Sequence, residues 1–379
     1  MRNTIIGIII GIVFGVMAGA TIITPGLNQA RQLPKERIVM GREDLELGAA
    51  KRDQDQTLEA NQGLKQKTKP LRIISLFAPK SSTMKGVTNH LQKSLPVSFH
   101  HPDTIVPNSD TVDAVKSGVV DGAFGAPDQW DVNSPTLQLF SAIPFGPDVE
   151  EYLAWFYYGG GQALFESQFK RKGVQGILCG ILPAQGSGWY KTPVRSLKGL
   201  DGLNVQAQGL GSRVLKEMGV KIHTLDSNGI LKAFKYNEID GAEYALPSID
   251  AEMGFARHAR NYYFPSWQQP VKSLALLINA KTWKRLPART QSLIYRTCGD
   301  TVRYALTRAG ASQFEALKKL GLAGVQVRRW PEPILEAFKA QWKKTARELV
   351  QKDPDFNAAW SSLHLFRRDY AIWRELSRP

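Results

Sequence analysis

The side chains in this chain with the strongest claim to chemistry are suited to holding a small ligand rather than transforming one. Four segments carry them. Pro144 to Gly160 opens an aromatic helix after a strand. Ala184-Gln185-Gly-Ser-Gly-Trp189-Tyr190 sets an amide and an indole on a glycine turn. Leu203 to Gly211 places Gln206 and Gln208 where a strand runs into a glycine-rich helix start, and Asp240-Gly-Ala-Glu243-Tyr244 ends a strand with a carboxylate. Strand ends and helix N-termini are where α/β folds bind small anions, because backbone N–H groups and the helix dipole point there. Gln185, Trp189, Gln206 and Glu243 are therefore expected to converge on one cleft. Each also has a plainer reading: Trp189 as core, Gln206 as a neutral strand residue, Glu243 as a solvated loop residue.

No catalytic pattern accompanies them. The sequence has no Gly-x-Ser-x-Gly elbow, Walker A loop, His-Glu-x-x-His pair or dinucleotide fingerprint. Its six histidines are scattered. His100 and His101 are adjacent on a strand and so face opposite ways. Two cysteines cannot build a disulfide framework or a four-ligand zinc site. Cys179 has no spaced His or Asp partner and reads as a buried, inert thiol. Lysine and arginine are spread along the chain without a groove-reading motif, which argues against nucleic acid.

The elements that must position these side chains are strands alternating with helices. Leu71 to Phe77 reads as a buried strand, Lys80-Ser-Ser caps a helix to Leu95, and Val97 to His101 is a second strand. Thr111 to Lys116 is a short helix ended by Gly118, and Val119 to Gly125 is a third strand. This alternation implies parallel βαβ units. A repeat sharpens the picture: Ala114 to Ala123 matches Ala233 to Ala242 at an offset of 119 residues. Gly118 pairs with Asn237, and both residue types tolerate the left-handed conformation that stops a helix. A helix–stop–strand unit thus occurs twice, as two similar lobes with a cleft between them would require. Pro287 to Leu320 and Pro333 to Val350 carry helical spacing, and Trp360 to Arg378 reads as an amphipathic packing or partner segment.

Composition bounds the rest. With 379 residues, 43% of them hydrophobic and 22% charged, the chain has room for two ordinary domains. Its net charge of +15 favours an anionic small molecule or a lipid surface as partner. Thr4 to Thr24 is almost wholly apolar. It reads either as an uncleaved membrane anchor, being long enough to span a bilayer, or as a secretory signal cleaved after Ala18-Gly19-Ala20. Gly7, Gly11, Gly15 and Gly19 give an anchor one small-residue face. Residues 26–70 are polar, without an aromatic residue, and read as a tether.

In their order, these motifs resemble the solute-binding proteins of tripartite ATP-independent periplasmic (TRAP) transporters, over about residues 70–350. The resemblance runs through Ala114 to Asp121, the Pro144-Phe-Gly…Glu-Glu…Ala-Trp…Gly-Gly run, Gly188-Trp189-Tyr190 and Leu197-Lys-Gly-Leu. It continues through Ile239-Asp-Gly-Ala-Glu243, Gly254-Phe255 and Tyr262-Tyr-Phe-Pro-Ser-Trp-Gln. It is nearest to the branch binding 2-oxo acids and related carboxylates, often with a bound cation.

The resemblance implies an α/β, two-lobe periplasmic-binding-protein-like fold with an inter-lobe cleft and long C-terminal helices. Its expected divisions are 1–25 as anchor or signal, 26–70 as tether, 71–180 as lobe 1 with part of a 247–280 crossover, 181–246 as lobe 2, and 281–379 as long helices with an amphipathic extension. It implies a periplasmic protein, tethered at the inner membrane, that captures a small organic anion and passes it to TRAP membrane subunits. A homodimer is left open. Gln185, Glu243 and Gln269 match the cation positions for Na⁺ or Ca²⁺, with Gln268 the alternative to Gln269. The family usually carries an arginine where this chain has Gln206, a residue that can donate a hydrogen bond but bears no charge. Arg213 could reach back to the solute. The tryptophan usual near the cation carboxylate is also missing, since Ala242 and Tyr244 flank Glu243. These departures give a second hypothesis, a membrane-tethered sensor or scaffold with altered or lost binding. An enzyme has no positive support in the residues.

Overall fold

The Ser81 hydroxyl starts the first helix where the spacing predicts one, accepting the Met84 N–H at 3.2 Å. Helix α1 (Ser82–Ser94) links strands β1 (Leu71–Ser75) and β2 (Val97–His100), which pair in parallel. Helix α2 (Thr111–Ser117) then leads to β3 (Gly122–Gly125), parallel to β1 on its other side. This computed structural model describes residues 69–77, 81–101, 104–106 and 111–377. All belong to the unit Gly63–Pro379. The expectations for the apolar N-terminal segment and for the tether through residue 68 fall outside the described residues.

Two sheets carry the fold. The first has the order β2-β1-β3-β10-β4, with β4 at Val174–Leu182 and β10 at Lys272–Asn279. The second comprises β5 (Gly188–Tyr190), β6 (Asn204–Gln206), β7 (Lys221–His223), β8 (Gly241–Ala242), β9 (Asn261–Phe264) and β11 (Gln326–Arg329). Its order is β11-β9-β5-β8-β6-β7. Both follow one plan. Three parallel strands (β2-β1-β3, β7-β6-β8) are followed by an antiparallel strand (β10, β5) and then a further one antiparallel to that (β4, β9).

The repeated decapeptides occupy equivalent places in the two sheets. Gly118 follows α2 with φ +82°, and Asn237 follows α7 (Ser227–Lys235) with φ +60°. Both take the left-handed stop their residue types allow. The repeated aspartates also do the same work. Asp121 Oδ2 accepts the Arg72 N–H of β1, and Asp240 Oδ2 accepts the Asn204 N–H of β6, each at 2.8 Å. Each Asp-Gly pair thereby fastens its strand to the parallel neighbour.

Strand β4 is buried along its whole length, as a strand covered on both faces must be. Helix α5 (Gly161–Lys170) packs on it, as does α10 (Ala288–Leu322), which follows the short α9 (Ala280–Arg285). Here the structure corrects the reading of Cys179 as a free thiol: Cys179 of β4 is disulfide-bonded to Cys298 of α10, 119 residues away. A partner that distant leaves no trace in local spacing. Helix α11 (Glu332–Lys352) packs on α6 (Gly209–Glu217), beside the second sheet. Helix α12 (Pro354–Ser377) packs on α3 (Pro135–Ser141), α4 (Val149–Tyr158) and α5, beside the first. The buried Glu151 of α4 accepts Arg367 Nε at 3.0 Å and lies 3.6 Å from Arg374 Nη1, which seats α12. Among the described residues no helix is long and apolar enough to cross a membrane.

Candidate functional site

The site is made where the chain crosses between the sheets. It leaves the first sheet after Leu182 and enters the second at Gly188, and it returns between Phe264 and Lys272. Gln185 lies on the first crossover and Gln269 on the second. The two crossovers are joined directly, since the Gln185 N–H donates to the Gln269 carbonyl at 3.4 Å. The next amide, of Gly186, donates to the Ala245 carbonyl at 3.2 Å and so ties in the segment after β8. That segment begins with Glu243, whose N–H donates to the Gln206 carbonyl of β6 at 2.8 Å. The Gln269 side-chain amide closes the group by donating to Glu243 Oε1.

Three oxygens in this group are buried without a hydrogen-bond partner: Gln185 Oε1, Glu243 Oε2 and Gln269 Oε1. Their residues are 5%, 6% and 9% exposed. A buried acceptor left unmade costs about 1–3 kcal/mol, so three in one connected group mark a place built for something else. Two amide oxygens and one carboxylate suit a hard cation such as Na⁺ or Ca²⁺. Among the described residues, His, Cys, Asp and Glu form no metal-holding cluster of three or more. A cation here would therefore rest partly on amide oxygens. Burial pushes the Glu243 carboxyl up to about 7. The Gln269 hydrogen bond, the Lys272 charge and a Gln268 hydrogen bond oppose that rise, while the Asp128 charge adds to it. A cation would supply the positive charge that the burial of this carboxylate lacks.

The other expected residues are placed as follows. Gln206 is the backbone neighbour of Glu243, but its side-chain Oε1 accepts the Leu225 N–H at 2.6 Å, in the loop after β7. Arg213 of α6 points to another partner: its Nε donates to Gln138 Oε1 of α3 at 3.3 Å, and burial lowers its pKa. Trp189 is fully buried, stacked on Tyr262 at 4.0 Å, with Nε1–H donating to Asp250 Oδ2 at 2.8 Å. The structure therefore brings Gln185, Glu243 and Gln269 together with the backbone of Gln206. It places the side chains of Trp189 and Arg213 in other contacts. Gln268 accepts the Ser187 hydroxyl at 3.0 Å and packs against the start of α6, where a Cβ at Gly211 would lie 2.7 Å from its own.

Sequence reasoning missed two features of the surroundings. Lys272, the first residue of β10, bonds Asp128 Oδ2 at 2.6 Å, with side chains only 15% and 9% exposed. A lysine heading a strand whose middle, Leu274–Ile278, is wholly apolar was the available clue. Asp250 of α8 (Pro247–Met253) accepts Trp189, Tyr262 and the Ala245 N–H, and so holds the segment that follows Glu243. Nothing local to Asp250 points to that role.

The chain is similar to known proteins over most of its length. Residues 84–353 match the family model described as bacterial extracellular solute-binding protein, family 7. A monocarboxylate 2-oxoacid-binding periplasmic protein of Nostoc sp. (strain PCC 7120) is 28% identical over 273 residues, 72% of this chain and 75% of that protein. A TRAP transporter solute-binding protein from Bordetella bronchiseptica, solved as a dimer with calcium and picolinate in one active site, superposes with a TM-score of 0.78. It shares 26% identity over 82% of this chain and 94% of its own. A TRAP periplasmic solute-binding protein from Colwellia psychrerythraea with bound calcium and pyruvate gives a TM-score of 0.75 and 25% identity, over 82% and 98% of the two chains.

Proposed function

Because the chain belongs to bacterial extracellular solute-binding protein family 7, we propose that it is the extracytoplasmic receptor of a TRAP-type transporter, holding a small organic acid together with a hard cation between its two sheets. The observation that carries this reading is the set of three buried, unpartnered oxygens of Gln185, Glu243 and Gln269 on the inter-sheet segments. These residues hold the cation, and the cation in turn supplies positive charge for the acid. Gln206, set against Glu243 through the β6–β8 ladder, lines the acid's side of the site. The Nostoc relative is named for 2-oxoacid binding, and the Bordetella and Colwellia structures pair calcium with picolinate or pyruvate. These names favour a small carboxylate bound beside a hard cation here.

The two sheets act as the two lobes, with boundaries near 71–180 and 181–246 and the later helices bracing both. The protein works in the periplasm, attached to the inner membrane through its N-terminal segment, and delivers its solute to the membrane subunits. It binds and does not catalyse. Calorimetry of the full chain with pyruvate and longer carboxylic acids, with and without Na⁺ or Ca²⁺, tests the reading. Acid binding that requires a cation is expected. Absence of binding to any acid under all cation conditions refutes it.

A further inference from the structure

The Lys272–Asp128 pair carries an inference about which acid is held, and it rests on the carboxylate reading above. Asp128 is an unusual residue to find near an anion. Its Oδ2 accepts from Lys272 Nζ at 2.6 Å, while its Oδ1 is buried with no hydrogen-bond partner. It belongs to the turn Pro127–Gln129 of the first sheet and faces the start of α6 in the second. There its Oδ2 lies 3.7 Å from the position a Cβ on Gly209 would take. The charges of Lys272 and Asp128 both act on Glu243. The region therefore holds four buried oxygens that accept and lack a donor: Asp128 Oδ1, Gln185 Oε1, Glu243 Oε2 and Gln269 Oε1.

A cation answers the three oxygens joined around Glu243. Asp128 belongs to a different segment and is already paired with a cationic side chain, so its Oδ1 calls for a hydrogen-bond donor. A 2-oxo acid has none at neutral pH, because its carboxylate and carbonyl oxygens only accept. An acid with a hydroxyl or ammonium group can donate to Asp128, while its carboxylate takes the cation or the donors of Lys272 that Asp128 does not use. We propose that Asp128 Oδ1 accepts a hydrogen bond from the bound solute, and that the site takes small carboxylic acids bearing an O–H or N–H donor ahead of 2-oxo acids.

The test is calorimetry of the full chain at saturating Ca²⁺ with matched acids: lactate against pyruvate, 2-hydroxybutyrate against 2-oxobutyrate, and alanine as the ammonium counterpart. One member carrying a donor is expected to bind about ten- to hundredfold tighter than its oxo partner, the worth of a hydrogen bond to a charged group. Lactate ahead of alanine identifies a hydroxyl donor, and the reverse order an ammonium. Asp128→Asn, whose amide can turn an N–H₂ toward the solute, should bring the ratio within about threefold of one or invert it. A purely structural role would weaken both members of a pair alike. Thermal melting checks that this variant folds, and the wild-type ratio stands without it. Pyruvate bound as tightly as lactate and alanine by the wild type overturns the inference and leaves the carboxylate reading intact, as does an unchanged ratio in folded Asp128→Asn. A wild type that binds no acid overturns both.

Discussion

Replacing Asp250 by asparagine measures the cost of one buried charge. Asp250 is 1% exposed, and its carboxylate accepts Trp189 Nε1–H and the Tyr262 hydroxyl at 2.8 Å and the Ala245 N–H at 3.0 Å. Burial still pushes its carboxyl from 3.8 up to about 7, against the pull of those three bonds. The unfolded chain gives up this proton near its ordinary pKa, and the folded chain keeps it to about pH 7. The contribution to stability is therefore fully present below the unfolded value, declines as pH rises through the interval, and is lost above the folded value. At about 1.36 kcal/mol per unit over roughly three units, the loss is on the order of 4 kcal/mol.

Asparagine cannot ionise, so Asp250→Asn should lack this slope. It offers one acceptor oxygen to three donors and should cost about 1–3 kcal/mol in acid. From about pH 4.5 to about pH 8 the gap between wild type and variant should shrink by a few kcal/mol or change sign. Glu243 titrates over a similar interval, but it does so in both proteins and cancels in the difference. The assay is urea unfolding of both proteins across that range, disulfide intact. A wild-type-minus-variant difference that stays constant within about 0.5 kcal/mol would refute the reasoning, since Asp250 would then titrate alike in the folded and unfolded chains.

Three further outcomes follow from the same structure. Glu243→Gln removes the only carboxylate from the cation group and should weaken Ca²⁺ binding by about a hundredfold or more, at 1.4 kcal/mol per tenfold, while the melting temperature at about pH 8 holds or rises because a buried charge is gone; calorimetry and thermal melting read the two effects. Gln206→Arg should strengthen binding of pyruvate by about tenfold, a charge-assisted pair outweighing the lost bond to the Leu225 amide, and an unchanged or weakened affinity in calorimetry would count against a carboxylate at that place. Removing the Cys179–Cys298 bond by paired alanine substitution should lower unfolding free energy by about 3–5 kcal/mol in urea, as expected when a loop of 119 residues is no longer closed; a loss under about 1 kcal/mol would contradict this.

What the sequence disclosed was whatever depends on neighbours along the chain. Gly118 and Asn237 marked two helix stops because left-handed backbone favours their residue types, and both have positive φ. The Asp-Gly repeat pointed to equivalent strands, and the two sheets share one strand plan. Ser81 named the start of α1 through its cap. Contacts between distant segments could not be read this way. Cys179 finds Cys298 across 119 residues, and Lys272 finds Asp128 across 144. Trp189 lies on the strand expected to reach the cleft, yet its indole bonds Asp250, a carboxylate that nothing in the local pattern connects to it. The family resemblance pointed to the trio of Gln185, Glu243 and Gln269, which the structure draws into one group; their spacing alone would not have done so.

The joining of the two crossovers has a consequence for how occupancy could be reported to another protein. The bonds from Gln185 to Gln269 and from Gly186 to Ala245 tie two of the three connections between the sheets, the third being the long helix α10 between β10 and β11, at the residues grouped around Glu243. These crossovers and the candidate site thus share the same stretches of backbone. A rotation of one sheet against the other that bends these crossovers also moves the candidate site, and a ligand that cross-tied Gln185, Glu243 and Gln269 would stiffen them. A loaded receptor would then differ from an empty one in how hard it is to deform as well as in shape. Mechanical compliance is a property that a docking surface far from the pocket can sense without touching the solute.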